Sequence, residues 1–371
     1  MSQGFNSKRQ FYSDLHQETK GSESSTSEET KTIAEDELLT PSKKVTSSPT
    51  RGSLTGRTFK AFTLQLAENK SSPSIVQSST TYYPYLRPES FQPTRWIHLL
   101  TTPLENESCS RCICIHGIGG SPIDFIPWKS RFESSAVELY AVCLPARHTR
   151  CLEPSMPIIQ HIAHAVIDAM TDLKLFSFCN SLSFYGHSIG SLIAFECIRV
   201  LLSQHSNTLP PLHLFISSCP NPISLSNLNS DPFISKVSEY SNRRLYELLV
   251  TESWWTEDIL RRINNTYMTL FRSDLKLYEN YIIQLPNETS LGGVLKNVPL
   301  TAFEIKSDDS VALFSEDYYV LQNSSFEYSW DRISTHVDTI YVKQSNVDPY
   351  YFIKETAIVN AILSFHLSFQ Y

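Results

Sequence analysis

The stretch FYGHSIGSLIAFE, residues 184–196, sets a serine between two glycines at the end of one apolar run and the start of another. Upstream, SLSFY reads as a buried strand. Downstream, SIGSLIAFECIRVLLSQ carries its apolar residues at helical spacing. The order strand, tight turn, helix gives Gly186-x-Ser188-x-Gly190 a specific meaning. It is the arrangement that lifts a serine hydroxyl above a sheet edge on a strained turn, with the amide of Ile189 facing a developing negative charge. A serine hydroxyl is a poor nucleophile until a base takes its proton and something holds the resulting oxyanion. Ser188 is therefore a candidate nucleophile and the Ile189 amide a candidate oxyanion donor.

The same alternation continues on both sides of the serine. RWIHLLT, RCICIHG and VELYAVCLP read as strands, and IIQHIAHAVIDAMTDLKLF as an amphipathic helix. LHLFISSC comes after the serine helix as a strand. VPLTAFEIKS and VDTIYVKQS are later strands, and YYFIKETAIVNAILSFH is a terminal helix. Strand–helix–strand alternation predicts an α/β fold with a mostly parallel sheet over residues 94–371. Residues 222–292 break that rhythm: the part from Ser238 to Ile283 reads as helical nearly throughout, placed where a cap would be inserted between sheet strands. Residues 1 to about 80 are rich in Ser, Thr and charge and poor in large apolar side chains, the composition of a disordered tail.

The strand RCICI ends in His116-Gly117-Ile118-Gly119-Gly120, about 70 residues before Ser188. A glycine-rich turn after that strand is where a second oxyanion amide belongs, and Ile118 is the candidate. Both glycine clusters are also compatible with ordinary tight turns. Neither nearby histidine reads as a base: His187 leaves the turn in a different direction from its neighbour Ser188, and His116 ends a strand and supports its loop.

Composition narrows the classes. The chain has 371 residues, 41% of them apolar, and a formal net charge of −7, with no basic footprint for nucleic acid. No apolar stretch approaches the roughly 20 residues that span a bilayer. The polar, acid-containing N-terminus reads as neither a secretory signal nor a transit peptide. Eight scattered cysteines, several inside apolar runs, fit reduced thiols in a cytoplasmic protein better than a disulfide framework. Cys109 and Cys112 form one CxxC without a second pair, so no metal is expected, and no cofactor is implied.

In this setting the chain resembles the type II thioesterases of fatty acid, polyketide and nonribosomal peptide synthesis, within the α/β-hydrolase superfamily. The resemblance covers about residues 94–366 and includes the medium-chain S-acyl fatty acid synthase thioesterases. CICIHGIGGSPIDFIPW looks like the family's first loop. VELYAVCLPARHTR looks like its strand ending in Leu-Pro-Gly-Arg, with Ala146 in place of the glycine. FYGHSIGSLIAFE is close to its Phe-Gly-His-Ser-Met-Gly elbow, and PPLHLFISSCPNP is similar to the next strand. LFRSDLKLYENY resembles the lid-region helix that carries Arg-x-Asp.

The resemblance implies a nucleophile at Ser188 and an acid in AFEIKSDDSV, where Asp309 fits better than Asp308. A carboxylate at that strand end can orient and stabilise an imidazolium. The chain departs from the family at the base. Where the family has Gly-Gly-His, the segment QSNVDPYYFIKE places Pro349, which accepts no proton, with Asp348 before it. His336 precedes the strand VDTIYV, and a strand of that length spans about 20 Å, which puts this histidine at the far end from Ser188. His366 sits in the terminal helix. The implied activity is hydrolysis of fatty or polyketide acyl thioesters on an acyl carrier protein, a partner synthase or coenzyme A. The helical cap would shelter the chain, with Trp254, Trp255, Met268 and Phe271 as candidate lining. Two alternatives stay open: a catalytically impaired relative that binds an acyl carrier or partner, and a general carboxylesterase or lipase.

Overall fold

The computed structural model describes residues 84–104, 108–205, 209–226, 237–251, 265–285, 294–306, 330–343 and 356–369. All of them belong to the unit Ser79–Tyr371. In chain order they form α1 (Pro93–Trp96), β1 (Ile97–Leu99), β2 (Cys109–Ile115), α2 (Lys129–Ser134), β3 (Val137–Val142), α3 (Ile159–Asp172), β4 (Cys179–His187) and α4 (Ile189–His205). Then come β5 (Leu212–Ser217), α5 (Pro222–Ser226), α6 (Asn242–Thr251), α7 (Asn265–Gln284), β6 (Leu300–Lys306), β7 (Val337–Lys343) and α8 (Thr356–Leu367). A 3₁₀ turn, Pro122–Trp128, leads into α2.

The seven strands form one sheet in the order β1-β3-β2-β4-β5-β6-β7. Only the edge strand β1 runs antiparallel, with Ile97 opposite Val142; every other pair is parallel. The sequence expectation of a mostly parallel α/β sheet holds. RWIHLLT differs from its expectation, because its first two residues close the short helix α1. Pro93 stands at the start of that helix, where its missing N–H costs nothing, and leaves only three residues for β1.

Both faces of the sheet are covered, which is why the strands read as continuous apolar runs. Side chains alternate along β2: Ile113 and Ile115 enter the core shared with α3, α4 and α7, while Cys112 and Cys114 enter the opposite core with Phe125, Trp128, Phe132 and the α8 residues Ile358 and Ile362. That period of two, repeated from strand to strand, pins the register. The consequence for function is geometric. Parallel strands end together, so β2, β3, β4, β5, β6 and β7 deliver their following loops to one edge.

The eight cysteines are free, six of them buried, as their apolar settings suggest. Among the described residues no helix is long and apolar enough to cross a membrane, and no cluster of three or more metal-ligating side chains is present.

Candidate active site

The site is built where β4 gives way to α4. Ser188 has φ 52°, the left-handed region, which costs an L-residue about 1–2 kcal/mol. Three hydrogen bonds hold it there. The Ser188 N–H donates to the Ser217 carbonyl at 2.9 Å, the Ser191 N–H donates to the Ser188 carbonyl at 2.9 Å, and the Ser191 hydroxyl donates to the Gly186 carbonyl at 2.8 Å. The flanking glycines are required by contact rather than by backbone angle. A Cβ on Gly190 would stand 2.3 Å from the Ile115 carbonyl oxygen, and one on Gly186 would stand 2.4 Å from the Gly190 carbonyl oxygen. The elbow is thus pressed against the end of β2, and any side chain at either glycine would force them apart. Ile189 opens α4, so its N–H is among the unpaired amides at the positive end of a 17-residue helix.

The loop after β2 completes the second wall. Gly117 approaches Ser188 so closely that a Cβ there would lie 3.4 Å from Ser188 Cβ and 2.8 Å from the His187 ring. The Gly120 N–H donates to the Gly117 carbonyl at 3.1 Å, and Gly119 has φ 72°. This is a type II turn with Ile118 and Gly119 as its central residues. Its third position demands a left-handed residue, and glycine supplies one. Ile118 is therefore carried on a hydrogen-bonded turn directly beside the elbow.

A buried ion pair braces this turn from outside. Asp274, in α7, accepts the Gly119 N–H at 2.8 Å. The same carboxylate takes two bonds from the Arg147 guanidinium, at 2.6 and 3.0 Å. Arg147 also donates to the Gly120 carbonyl at 3.0 Å. Both side chains are nearly inaccessible, at 4% and 3% exposure, so the pair works in a medium that strengthens each bond. Tyr267 and Phe271 roof the turn; the space a Cβ on Gly119 would need is filled by the Tyr267 hydroxyl. Met268 and Phe271 are buried, while Trp254 and Trp255 lie outside the described residues.

Farther along, α7 is fixed at two more points. The Tyr281 hydroxyl donates to Glu196 of α4 at 2.8 Å. Glu279 accepts the Ser238 N–H at 2.8 Å, and Arg272 donates to the Ser238 carbonyl. Burial pushes the Glu196 carboxyl above its ordinary range, and the Tyr281 phenol well above its own.

The histidines separate cleanly. His187 is held by its Nδ1 contact with the Ser217 hydroxyl at 2.9 Å, and Ser217 also meets the Tyr185 hydroxyl at 2.8 Å. His116 Nδ1 lies 2.9 Å from the Gly117 carbonyl, and burial, with Arg147 nearby, drives its pKa well below the usual imidazole value. His366 bridges the Ser181 and Ser183 hydroxyls of β4 at 2.7 and 2.8 Å, and burial lowers it to about 3. His336 sits at the start of β7, where its carbonyl accepts the Leu300 N–H at 2.9 Å, on the edge opposite Ser188. Among the described residues no side chain hydrogen-bonds the Ser188 hydroxyl.

Of the residues the sequence singles out, Ser188, Ile118 and Ile189 come together on one edge. Asp309 comes three residues after the C-terminal end of β6 and, like Asp308, Asp348 and Pro349, lies outside the described residues. Sequence reading misses the Arg147–Asp274 pair. Both residues stand in segments that carry the family resemblance, VELYAVCLPARHTR and LFRSDLKLYENY. Nothing in either segment announces that they meet across 127 positions.

Comparison with known proteins converges on one family. A family model described as a thioesterase domain matches residues 111–332. The medium-chain S-acyl fatty acid synthase thioesterase of Rattus norvegicus is 28% identical over 204 residues, covering 54% of this chain and 71% of its own. The gramicidin S biosynthesis protein GrsT of Aneurinibacillus migulanus is 27% identical over 242 residues, covering 58% and 85%. Among solved structures, the RedJ thioesterase from the prodiginine biosynthetic pathway in Streptomyces coelicolor superposes with a TM-score of 0.50 at 21% identity, over 76% of this chain and 94% of that one. A likeness at that identity speaks for the fold, and it agrees with the sheet described above.

Proposed function

The chain belongs to the thioesterase family, and we propose that it hydrolyses acyl thioesters through an acyl-enzyme on Ser188. The observation that carries this reading is the pairing of a left-handed serine at a strand–helix elbow with the type II turn of Gly117–Gly120 packed against it. A binding protein gains nothing from a serine held at about 1–2 kcal/mol of backbone strain. A nucleophile gains exposure and a pair of amides.

Ser188 Oγ bonds the thioester carbonyl carbon as its proton passes to a base on this edge, which returns it to the departing sulfur, and the carbonyl oxygen becomes an oxyanion. The Ile118 and Ile189 N–H groups are the donors assigned to that oxyanion, and removal of one such donor typically costs about 10²–10³ in kcat. The C–S bond then breaks, the sulfur leaves as a thiol, and water attacks the acyl ester to release a carboxylic acid and restore the serine. Asp309 is assigned the acid's place, at the loop following β6. The substrates proposed are fatty or polyketide acyl chains on the phosphopantetheine arm of a carrier protein, or on coenzyme A. The family's presence in fatty acid and gramicidin biosynthesis supports that class. Residues 222–292 act as the cap over the chain, residues 94–371 as the catalytic domain, and residues 1–80 as a tail outside it. Eight free cysteines fit a reducing compartment, the cytoplasm.

One observation favours a second reading. Pro349 stands where the family's histidine aligns, and a protein without a base would bind an acyl carrier and turn it over slowly or not at all. A fluorophosphonate probe decides between the two. Rapid labelling of the wild type that disappears in Ser188→Ala is expected of the hydrolase. Labelling no faster than in the alanine variant would overturn it and leave the carrier-binding reading.

A further inference from the structure

The turn that carries Ile118 is not held by its own strand alone. Its two outward-facing backbone groups, the Gly119 N–H and the Gly120 carbonyl, both end on the Arg147–Asp274 pair, at 2.8 and 3.0 Å. Asp274 comes from the cap helix α7, and Arg147 comes from the loop after β3. Three separate parts of the chain therefore converge on one peptide turn. We infer that Asp274, acting with Arg147, is a positioning residue for the oxyanion site: it locks the Gly117–Gly120 turn in the form that keeps the Ile118 amide beside Ser188.

This role rests on the proposed acyl-transfer reading and deepens it. The turn itself is closed by a single hydrogen bond, Gly120 N–H to the Gly117 carbonyl, so its position beside the elbow depends on what holds it from outside. The Ile118 N–H lies in the preceding peptide, Gly117–Ile118, so it keeps its place only while the turn as a whole is held; a shift of the turn would part the Gly119 N–H from Asp274 and leave a buried carboxylate short of one donor. The cost of an unsatisfied charged group in a buried site makes the observed form the stable one. Arg147 adds direction. Its planar guanidinium makes two parallel bonds to the carboxylate while reaching the Gly120 carbonyl, so the carboxylate, the turn and the β3 loop are fixed together. The pair commits both an acceptor and a donor to adjacent backbone groups in the second half of the turn, the Gly119 N–H and the Gly120 carbonyl. Placement errors near 1 Å at a reacting centre cost about 10² in rate, so a turn free to shift should be felt in kcat.

The pair also ties the turn to the cap. Tyr267 and Phe271 lie over Gly119, about one to two helical turns before Asp274 on the same helix. A displacement of α7 would carry the brace with it.

The test uses the full chain and three variants, Asp274→Asn, Asp274→Glu and the double replacement Arg147→Met with Asp274→Leu. The double replacement removes both charges together, which buried pairs often tolerate without loss of stability. Turnover of an acyl-coenzyme A is measured first in the wild type, with kcat and KM separated. Backbone exchange of the Gly119 amide is followed by NMR in every protein. The expected result is a drop in kcat of about 10²-fold in Asp274→Asn and in the double variant, with KM within about twofold, partial recovery in Asp274→Glu, and faster exchange at Gly119. The double variant should melt near the wild type. Wild-type kcat in the double variant, or unchanged Gly119 exchange in both it and Asp274→Asn, would overturn the inference. A wild type that turns over no thioester breaks the proposed function instead, and the exchange measurement then decides by itself whether the pair holds the turn.

Discussion

The C-terminal edge of the sheet has two halves, and they are built by different means. On the β2–β4 half, the elbow and the turn beside it are each held by several contacts at once. Ser188 is held left-handed by three hydrogen bonds, Gly186 and Gly190 allow backbones to touch, and the Gly117–Gly120 turn is braced from the cap. On the β6–β7 half the sheet itself is equally regular: seven residues of β6 pair in unbroken parallel register with seven of β7, from Leu300 opposite Val337 to Lys306 opposite Lys343. The strands point at the right place. Past their ends come Ser307-Asp308-Asp309 after β6 and Asn346-Val347-Asp348-Pro349 after β7, the segments in which the resemblance expects the acid and the base.

A histidine at position 349 puts that contrast under the greatest strain. Pro349→His should raise thioester turnover by about 10²–10⁴ if position 349 lies where the family's base does. Steady-state hydrolysis in the variant and the wild type measures it. A wild type already at full speed, unmoved by the histidine, would mean that another group on this edge serves as base and that the two halves are equally complete.

The β2–β4 half has its own weak points, and one depends on pH. Burial pushes the Asp124 carboxyl up to about 6 from 3.8, partly offset by its bond from the Ser121 N–H and by nearby Arg147. A raised folded-state value means that protonation favours the folded form. The contribution is complete below about pH 4 and is lost as pH rises through 6. Asp124→Asn, neutral throughout, should match the wild type near pH 4 and exceed its stability by roughly 2 kcal/mol at about pH 7.5. Urea melts at the two pH values check it. An Asn variant less stable at the higher pH would show that Asp124 is held charged by Arg147 and belongs to the brace.

The smallest effect concerns Ala146. The family carries glycine in this Leu-Pro-x-Arg position, and the structure shows why: Ala146 has φ 67°. A left-handed alanine costs about 1 kcal/mol, partly returned by the lower entropy of its unfolded chain. Ala146→Gly should therefore stabilise the protein by up to about 1 kcal/mol and leave Arg147 in place, with a small rise in Tm and no change in kcat. A loss of kcat on this change would mean that the stiffness of alanine, one residue before Arg147, helps aim the guanidinium.

Much of this molecule is legible in its sequence. The strands from RCICI through VDTIYV, the helix after Ser188 and the glycine turn after β2 all express themselves over a handful of neighbouring residues, because periodicity and turn chemistry are local. The exception is RWIHLLT, where a proline two residues earlier has already turned the chain into helix. The placement of His336 on the far edge follows from strand length alone, and the parallel pairing of β6 with β7 agrees with it.

The remainder belongs to tertiary structure. That Asp274 reaches Gly119 across 155 residues, and Arg147 across 127, is written in no window of sequence. A bidentate ion pair depends on the direction of two side chains to within tenths of an ångström. That direction is set by how α7 and the β3 loop pack against the sheet, which is a property of the whole core. Local sequence dictates which backbone pieces form and where a serine can be lifted into reach. Packing among distant pieces dictates which turn is braced, because only a folded core removes water and makes such bonds strong.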